Sequence, residues 1–118
     1  MNEYEPDYWQ VIRLVNGNET IYKLFSSWVG GYVNSDSWKL NSGITSIKKV
    51  EKVLQMTHGP KTVTIAYDVA GVSGSVYRVP ARENCYRTSV YTSGILQNIM
   101  NKTNAEVLPY DTDWENLV

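Results

Sequence analysis

The feature that most constrains the fold is an Asn-Gly pair, Asn16-Gly17, between two segments of strand character. Residues 8–15, YWQVIRLV, are rich in β-branched, aromatic and apolar side chains, and residues 19–25, ETIYKLF, continue that character. Asn-Gly readily adopts the positive φ angles of a tight hairpin turn. Both faces of the first segment carry large apolar side chains, which predicts a central strand or one covered on both sides.

A second hairpin is predicted around the stretch GVSGS, residues 71–75. Residues 62–69 and 75–79 each alternate between outward and inward side chains, as half-buried strands do. The side predicted to be covered in the first of these strands carries Val63, Ile65, Tyr67 and Val69. A serine nucleophile elbow or a phosphate-binding loop would lead into a helix, whereas a strand follows here. We therefore interpret the glycines as a hairpin turn.

Two other regions have less regular patterns. Residues 28–37 combine glycine, asparagine and serine with large apolar side chains, which predicts either a loop that folds back on the sheet or a short irregular hairpin. In residues 44–56 the spacing of Ile47, Val50 and Leu54 fits a helix as well as a strand. We interpret this region as a strand because it follows a glycine turn and ends at a His-Gly-Pro sequence.

One helix is predicted near the C-terminus, within residues 91–104. Four apolar side chains recur there at helical spacing: Ile95, Leu96, Ile99 and Met100. Together these patterns predict a single α+β domain over residues 1–118. We expect an antiparallel, strongly twisted sheet or small open barrel of about five or six strands, with one short C-terminal helix packed on it.

Composition favours a cytoplasmic protein. The chain has one cysteine, Cys85, so it cannot form an internal disulfide, which fits a reducing compartment. The acidic N-terminus lacks the apolar core of a secretory signal, and no apolar run is long enough to span a membrane. The formal net charge of −1 provides no global basic field to hold nucleic acid.

Charge is unevenly distributed along the chain. Residues 1–19 and 101–118 are acidic, whereas residues 20–100 are basic. The acidic ends either stay solvated or lie on the basic middle of the same chain or of a second copy, so the oligomeric state stays open. In the acidic tail, residues 109–118, Trp114 and Leu117 are the predicted anchors.

The sequence contains no recognisable catalytic or metal-binding pattern. His58, the only histidine, lies in a turn, and the sequence alone identifies no catalytic partner for Cys85. Asp68 lies within a predicted strand and has no second carboxylate nearby in the sequence. Residues 111–115, DTDWE, lack the glycine and the twelfth ligand of a calcium loop. We therefore predict no enzyme, no cofactor and no metal.

The strongest positive feature is a set of basic residues interleaved with tyrosines. The predicted binding face consists of Lys48, Lys49, Lys61, Tyr77, Arg78, Arg82, Tyr86 and Arg87. Tyr, Trp and Arg dominate the energetics of protein interfaces, which favours a protein partner. The alternative is a nucleic-acid or nucleotide binder, since rings stack on bases and cations hold phosphates. The acidic termini would repel phosphate, so we favour protein; a solvated face without a partner is the third interpretation.

Three short motifs carry a resemblance to a known group of proteins: WKLNSGITSI at 38–47, SGSVYRV at 73–79 and YTSGIL at 91–96. Together they resemble small early proteins of tailed bacteriophages. Those proteins often have Cys-His-Lys after the Val-Tyr pair, where this chain has Arg78-Val79-Pro80, so the role of that segment is not carried over. The resemblance implies a phage accessory protein in the host bacterial cytoplasm. We expect it to bind and inhibit or modulate a host protein, such as a defence factor.

Overall fold

The structure is a computed structural model that describes residues 3–30 and 35–118. The strands are β1 (Glu3–Tyr4), β2 (Tyr8–Asn16), β3 (Glu19–Trp28), β4 (Ser37–Leu40), β5 (Ile44–Met56), β6 (Gly59–Gly71), β7 (Val76–Pro80) and β8 (Ala105–Val107). The described chain also contains one α-helix, α1 (Ser93–Lys102), and 3₁₀ turns at Glu83–Cys85, Val90–Thr92 and Trp114–Asn116.

Within the described residues the strands form two four-stranded sheets. Sheet A has the order β1-β7-β6-β5 and sheet B the order β4-β3-β2-β8. Every pairing is antiparallel except β1 with β7. The predicted α+β class, with an antiparallel sheet and one short C-terminal helix, is confirmed. The structure has more strands than expected because β1 and β4 are too short to show an alternating pattern.

The β2–β3 hairpin follows the prediction with a shift of one residue. Asn16 pairs with Glu19, so the loop residues are Gly17 and Asn18 rather than Asn16 and Gly17. Gly17 has a φ of 63°, which glycine adopts without the steric cost of a Cβ atom. β2 lies between β3 and β8, which confirms the prediction of a central strand.

Both faces of sheet B are covered, which gives the molecule three layers. On β2, Trp9 and Val11 belong to the core between the sheets, whereas Ile12 packs beneath α1. The buried core between the sheets contains Trp9, Val11, Leu24, Ile44, Ile47, Val69, Tyr77, Val79, Leu108 and Trp114. The predicted apolar stripe of α1 packs on Ile12 and Phe25 on the other face of sheet B. The short helix is therefore stabilised by docking.

The core between the sheets is dominated by aromatic rings, with Trp9 at its centre. The Trp9 ring centroid lies 4.7 Å from that of Tyr86 and 5.3 Å from that of Trp114. Its indole Nε1–H donates a hydrogen bond to the Pro80 carbonyl at 2.8 Å. Buried Trp and Tyr need a partner for their polar atom, and strand ends supply one. Much of the Tyr and Trp in this sequence therefore has a structural role.

Tyr86 uses its hydroxyl to join two chain segments. The hydroxyl accepts a hydrogen bond from the Val11 N–H at 3.1 Å and donates one to the Leu108 carbonyl. The Leu108 N–H in turn donates to the Val11 carbonyl at 2.9 Å, so the phenol extends the β2–β8 ladder by one position. Burial raises the pKa of Tyr86 from 10.0 to about 12.

This buried phenol predicts a loss of stability at alkaline pH. The unfolded chain loses the phenol proton near pH 10, whereas the folded protein retains it up to about pH 12. Unfolding is therefore increasingly favoured across this window, by roughly 3 kcal/mol for a pKa difference of this size. Tyr86→Phe is expected to flatten that dependence and to cost about 1–3 kcal/mol at neutral pH, because the Val11 N–H loses its acceptor.

Urea unfolding at pH 8, 10 and 11 measures both effects. Tyr91→Phe removes a hydroxyl from an exposed ring and is the matched control; its curves should follow the wild type. A Tyr86→Phe protein with wild-type stability at pH 8 would contradict the bridging role.

The strand interpretation of residues 44–56 is confirmed. The β5–β6 pairing also explains why one prediction for β6 is wrong. The register shifts between Val50 and Glu51, which leaves Ile65 of β6 without a cross-strand partner. Such a bulge redirects a side chain, and Ile65 is exposed. The prediction that Ile65 shares a covered face with Tyr67 is therefore wrong.

Beyond this bulge, β5 and β6 continue past the end of β7 as a two-stranded arm, residues 51–64. Its pairs run from Glu51 opposite Thr64 to Met56 opposite Gly59, a length of about 20 Å at roughly 3.3 Å per residue. Most side chains of the arm are exposed. The arm is thus held mainly by its own cross-strand pairs.

Two predicted loops have different outcomes. Residues 72–75 connect the antiparallel strands β6 and β7, which confirms the hairpin interpretation of GVSGS. The loop predicted over residues 28–37 lies partly outside the described residues. Its ends belong to strands, since Trp28 ends β3 and Ser37 begins β4.

Candidate functional site

The tyrosines of the predicted basic and aromatic face point into the core. Tyr77 is 3% exposed and stacks on Tyr4, with ring centroids 4.9 Å apart. Tyr86 packs against Trp9, and its hydroxyl forms hydrogen bonds with two backbone groups. The interpretation of Tyr77 and Tyr86 as surface rings available to a partner is therefore wrong.

The cations of that face are divided between different surfaces. In sheet A, cross-strand pairing places Lys48, Asp68 and Arg78 on the outer face, whereas Tyr77 faces sheet B. Lys61 lies on the arm, and Arg82 and Arg87 follow β7 outside the sheets. The structure thus does not bring the eight predicted residues together. A single-sequence reading missed this because proximity in the chain does not fix the face of a strand.

Arg78 is held in a bidentate ion pair. Its Nε and Nη2 atoms donate to the two carboxylate oxygens of Asp68 at 2.8 and 2.9 Å. The hydrogen bond from Arg78 lowers the pKa of Asp68. The same bond raises the pKa of Arg78, and Glu5 and Glu3 add to this effect. The acidic N-terminal segment therefore lies beside this cation, and both carboxylate oxygens of Asp68 are paired with Arg78.

The acidic C-terminal tail also reaches a basic residue. Glu115 forms an ion pair with the Lys49 ammonium at 3.2 Å and also accepts a hydrogen bond from the Lys49 backbone N–H at 3.5 Å. The hydrogen bond with Glu115 is the largest contribution that raises the pKa of Lys49. Trp114 is buried against Trp9, and Leu117 packs on the same core. Both acidic ends thus lie on the basic middle of the same chain.

The candidate catalytic side chains are separated from one another. His58 lies in the turn at the tip of the arm, between β5 and β6. Cys85 ends a 3₁₀ turn, where its thiol lies 3.6 Å from the Asn84 amide oxygen. Across residues 3–30 and 35–118, no group of three His, Cys, Asp or Glu side chains could hold a metal ion.

A different surface gathers aromatic, aliphatic and basic side chains. Its centre is Ser27 of β3, which pairs with Tyr8 on one side and Trp38 on the other. The Ser27 hydroxyl accepts a hydrogen bond from the Ser89 N–H at 3.1 Å, which places the 3₁₀ turn Val90–Thr92 next to this row. We call Tyr8, Trp38, Arg87, Val90 and Tyr91 the Trp38–Tyr91 patch.

Tyr8 is partly buried, whereas the other residues of this patch are exposed although several are large and apolar. Tyr91 is 82% exposed, Val90 71% and Trp38 43%. The Arg87 guanidinium lies over the Tyr8 ring, 5.1 Å from its centroid. Isolated exposed apolar residues are ordinary, but a local group of them with tyrosine, tryptophan and arginine has the composition of a binding surface.

Local structure explains why Val90 and Tyr91 project outward. Ser89 and Thr92 are buried, and their hydroxyls lie 2.8 Å apart in a hydrogen bond. Because these two flanking residues anchor the turn, the two residues between them face solvent. The sequence carried a signal for this, since Val90 and Tyr91 lie outside the apolar stripe of α1, whereas the position of this turn beside β3 depends on the long-range bond from Ser89 to Ser27.

A hollow of about 490 Å³ adjoins the patch at Trp38. It is lined by Tyr4, Trp28, Ser37, Trp38 and Lys39. The Lys39 ammonium donates a hydrogen bond to the Tyr4 hydroxyl at 3.0 Å and lies 4.4 Å from that ring's centroid. This contact raises the pKa of Lys39, chiefly through the hydrogen bond. The hollow extends the aromatic surface around the edge of β4.

Comparison with protein-family models, with curated proteins and with solved structures finds no match to this chain. Among the described residues, no helix has both the length and the apolar character needed to cross a membrane. The function is therefore inferred from the geometry of the surfaces above.

Proposed function

We propose that this chain is a non-enzymatic binding protein that docks on another protein through the Trp38–Tyr91 patch. The observation that carries the proposal is the exposure of Trp38, Val90 and Tyr91, together with the Arg87 guanidinium over the Tyr8 ring. Trp, Tyr and Arg are the residue types that most often supply the binding energy of protein interfaces. Covering these rings would remove apolar area from water, at roughly 25 cal/mol per Å².

The patch is also preorganised, which lowers the entropic cost of association. The Trp38 ring stacks on the buried Phe25 with centroids 5.7 Å apart and an interplanar angle of 12°. Arg87 rests on Tyr8, and the turn that bears Tyr91 is anchored by two buried hydroxyls. Side chains that are already ordered lose less freedom when a partner binds.

The partner that we propose is a host protein in the bacterial cytoplasm, whose activity the chain inhibits or modulates. The resemblance of residues 38–47, 73–79 and 91–96 to small phage proteins supports this choice. The patch supports protein over nucleic acid as the partner class. Arg78 is neutralised by Asp68 and Lys49 by Glu115, so these two cations are less available to phosphates.

A double substitution tests the proposal. Trp38→Ala with Tyr91→Ala is expected to weaken the captured partner's affinity by roughly 30-fold or more, which corresponds to a loss of about 2 kcal/mol at an interface hot spot. The partner is identified by pull-down from bacterial lysate at two salt concentrations and then titrated in purified form. Tyr91→Ala alone separates binding from folding, because this exposed ring should not change the melting temperature.

Val72→Ala is the matched control, because Val72 is exposed to about the same extent as Val90 but lies in the β6–β7 loop. It should bind as the wild type does. The proposal fails if the double variant retains full affinity. It also fails if the captured material is nucleic acid that is released as salt rises.

A further inference from the structure

β5 presents a free backbone edge along the arm. It is the terminal strand of sheet A, with β6 on one side and, among the described residues, no strand on the other. The Lys49 N–H donates to Glu115, so at this position the backbone points away from β6 and the tail occupies the edge. Alternate residues of a strand direct their backbone groups the same way, so those of Glu51, Val53 and Gln55 point outward as well.

The other edge of the arm has features that keep a strand edge unpaired. It belongs to β6, where Pro60 lies opposite Gln55. Because the Gln55 backbone points away from β6, that of Pro60 points away from β5, and proline has no N–H to donate. The bulge at Ile65 interrupts the same strand next to its last pair with β7. Natural proteins protect exposed edges in these ways, whereas β5 has neither a proline nor an extra residue over residues 50–56.

The arm would be stabilised by a further strand. A ribbon of two strands is marginally stable by itself, and three or more strands are needed to build a hydrophobic face. Cross-strand pairing places Leu54, Met56 and Val63 on one face of the arm and Val53 on the other. Met56 and Val53 are both more than half exposed. A strand paired with β5 would therefore cover apolar area on both faces.

The charges of β5 restrict how a second copy of this chain can pair with it. Two copies that pair about a twofold axis normal to the sheet bring residues of the same parity opposite each other. Centred on Val50, such pairing places Lys48 opposite Lys52. Centred on Glu51 or Lys52, it places that residue opposite itself. Like charges directly opposite are destabilising, so these three registers are disfavoured.

Pairing centred on Val53 opposes no like charges. The opposed residues are then Val50 and Met56, Glu51 and Gln55, Lys52 and Leu54, and Val53 with its own copy. The two Lys52 side chains become diagonal neighbours, roughly 7–8 Å apart, and both are exposed to water. Val53 is also the midpoint of the free edge, residues 50–56, so this register uses its full length. Centring on Leu54 instead pairs only residues 52–56.

We propose that two copies of this chain pair through β5, antiparallel and centred on Val53, so that their A sheets become one continuous sheet. Residues 50–56 contain one glutamate and one lysine, so the free edge has no net charge to select a charged partner strand. In the register that uses the whole edge, each of these charges lies opposite an uncharged side chain. The interface lies in sheet A and is separate from the Trp38–Tyr91 patch. It holds whether or not that patch binds a protein.

The test measures the mass of the full chain in solution by sedimentation equilibrium. Concentrations from about 1 µM to about 1 mM cover the range of weak and transient interfaces. The weight-average mass should rise from that of one chain toward that of two. Over the same range, amide exchange at Glu51, Val53 and Gln55 should slow at least tenfold, as measured by NMR.

Substitutions at Gln55 test the register by charge. Gln55→Lys places a cation opposite Glu51 of the second copy, at two symmetric positions, and should tighten the dimer. Gln55→Glu places a second carboxylate at the same two positions and should weaken it. The dissociation constants of these two variants should differ at least tenfold. Gln55 is exposed, so neither variant should disturb the fold.

Val53→Pro tests the backbone pairing. It removes the central outward N–H without breaking a bond to β6 and should weaken dimerisation at least tenfold. Val53→Thr retains the N–H and is the matched control. If the proline variant does not fold, the two Gln55 variants decide the matter. Tyr91→Ala should dimerise as the wild type does, which separates this interface from the proposed function.

Five results would overturn the inference. The first is a chain that stays monomeric at about 1 mM. The second is a dimer whose β5 amides exchange as fast as those of the monomer, and the third is equal dimerisation of Gln55→Lys and Gln55→Glu. The fourth is wild-type dimerisation of folded Val53→Pro. The fifth is loss of the dimer in Tyr91→Ala, which would place the interface at the Trp38–Tyr91 patch.

Discussion

Replacing Trp9 with alanine is expected to destabilise the fold by about 3–5 kcal/mol, the range for a buried tryptophan. Trp9 is 1% exposed and contacts both sheets and the C-terminal tail. The substitution leaves a cavity among rings and deprives the Pro80 carbonyl of its donor. Domains of this size are stable by only about 5–15 kcal/mol, so the substitution should remove a large share of the free energy of unfolding. Urea unfolding followed by circular dichroism measures the change.

Two controls separate the causes of this loss. Trp9→Phe keeps an aromatic ring in place but removes the indole N–H, so it should cost less than Trp9→Ala. Trp38→Ala removes the same side chain from a site that is only partly covered, and its cost should be smaller still. An equal loss in Trp9→Ala and Trp38→Ala would contradict the central position of Trp9.

Local signals were enough to predict several elements of this fold. The β2–β3 hairpin depends on a glycine within two loop residues, and α1 depends on apolar spacing within ten residues. The two apolar faces of β2 correctly indicated cover on both sides. In each case the sequence signal lies within one element or between neighbours in the chain.

Long-range arrangement could not be predicted in the same way. Sheet B joins β8 to β2 and β4 to β3, and these partners are short segments without a pattern of their own. The bulge at Ile65 is likewise invisible in the alternation of β6, because it arises from a register shift against β5. Such features are determined by tertiary packing rather than by local preference.

The candidate site shows the same division. Tyr77 and Tyr91 have the same side chain, yet Tyr77 is buried and Tyr91 is largely exposed. Sequence proximity to arginine drew attention to Tyr77. The exposed patch instead depends on the pairing of Trp38 with Ser27 and on the bond from Ser89 to Ser27. Neither contact has a signal in a single sequence.

Trp114→Ala is expected to produce the other large effect, again about 3–5 kcal/mol, together with release of the acidic tail. Trp114 is buried against Trp9 and Tyr86, and its indole N–H donates to the Tyr110 carbonyl at 3.0 Å. The adjacent pair of Glu115 and Lys49 is exposed on both sides, so it should contribute little to stability. Ring burial, rather than charge, therefore determines whether the tail stays docked.

Glu115→Gln is the matched variant for that comparison, because it removes the ion pair but leaves the ring in place. Its unfolding free energy should stay close to that of the wild type, and amide exchange over residues 109–118 should stay slow. In Trp114→Ala the same amides should exchange at least tenfold faster. If Glu115→Gln released the tail while Trp114→Ala left it protected, the ion pair would be the anchor and the burial argument would fail.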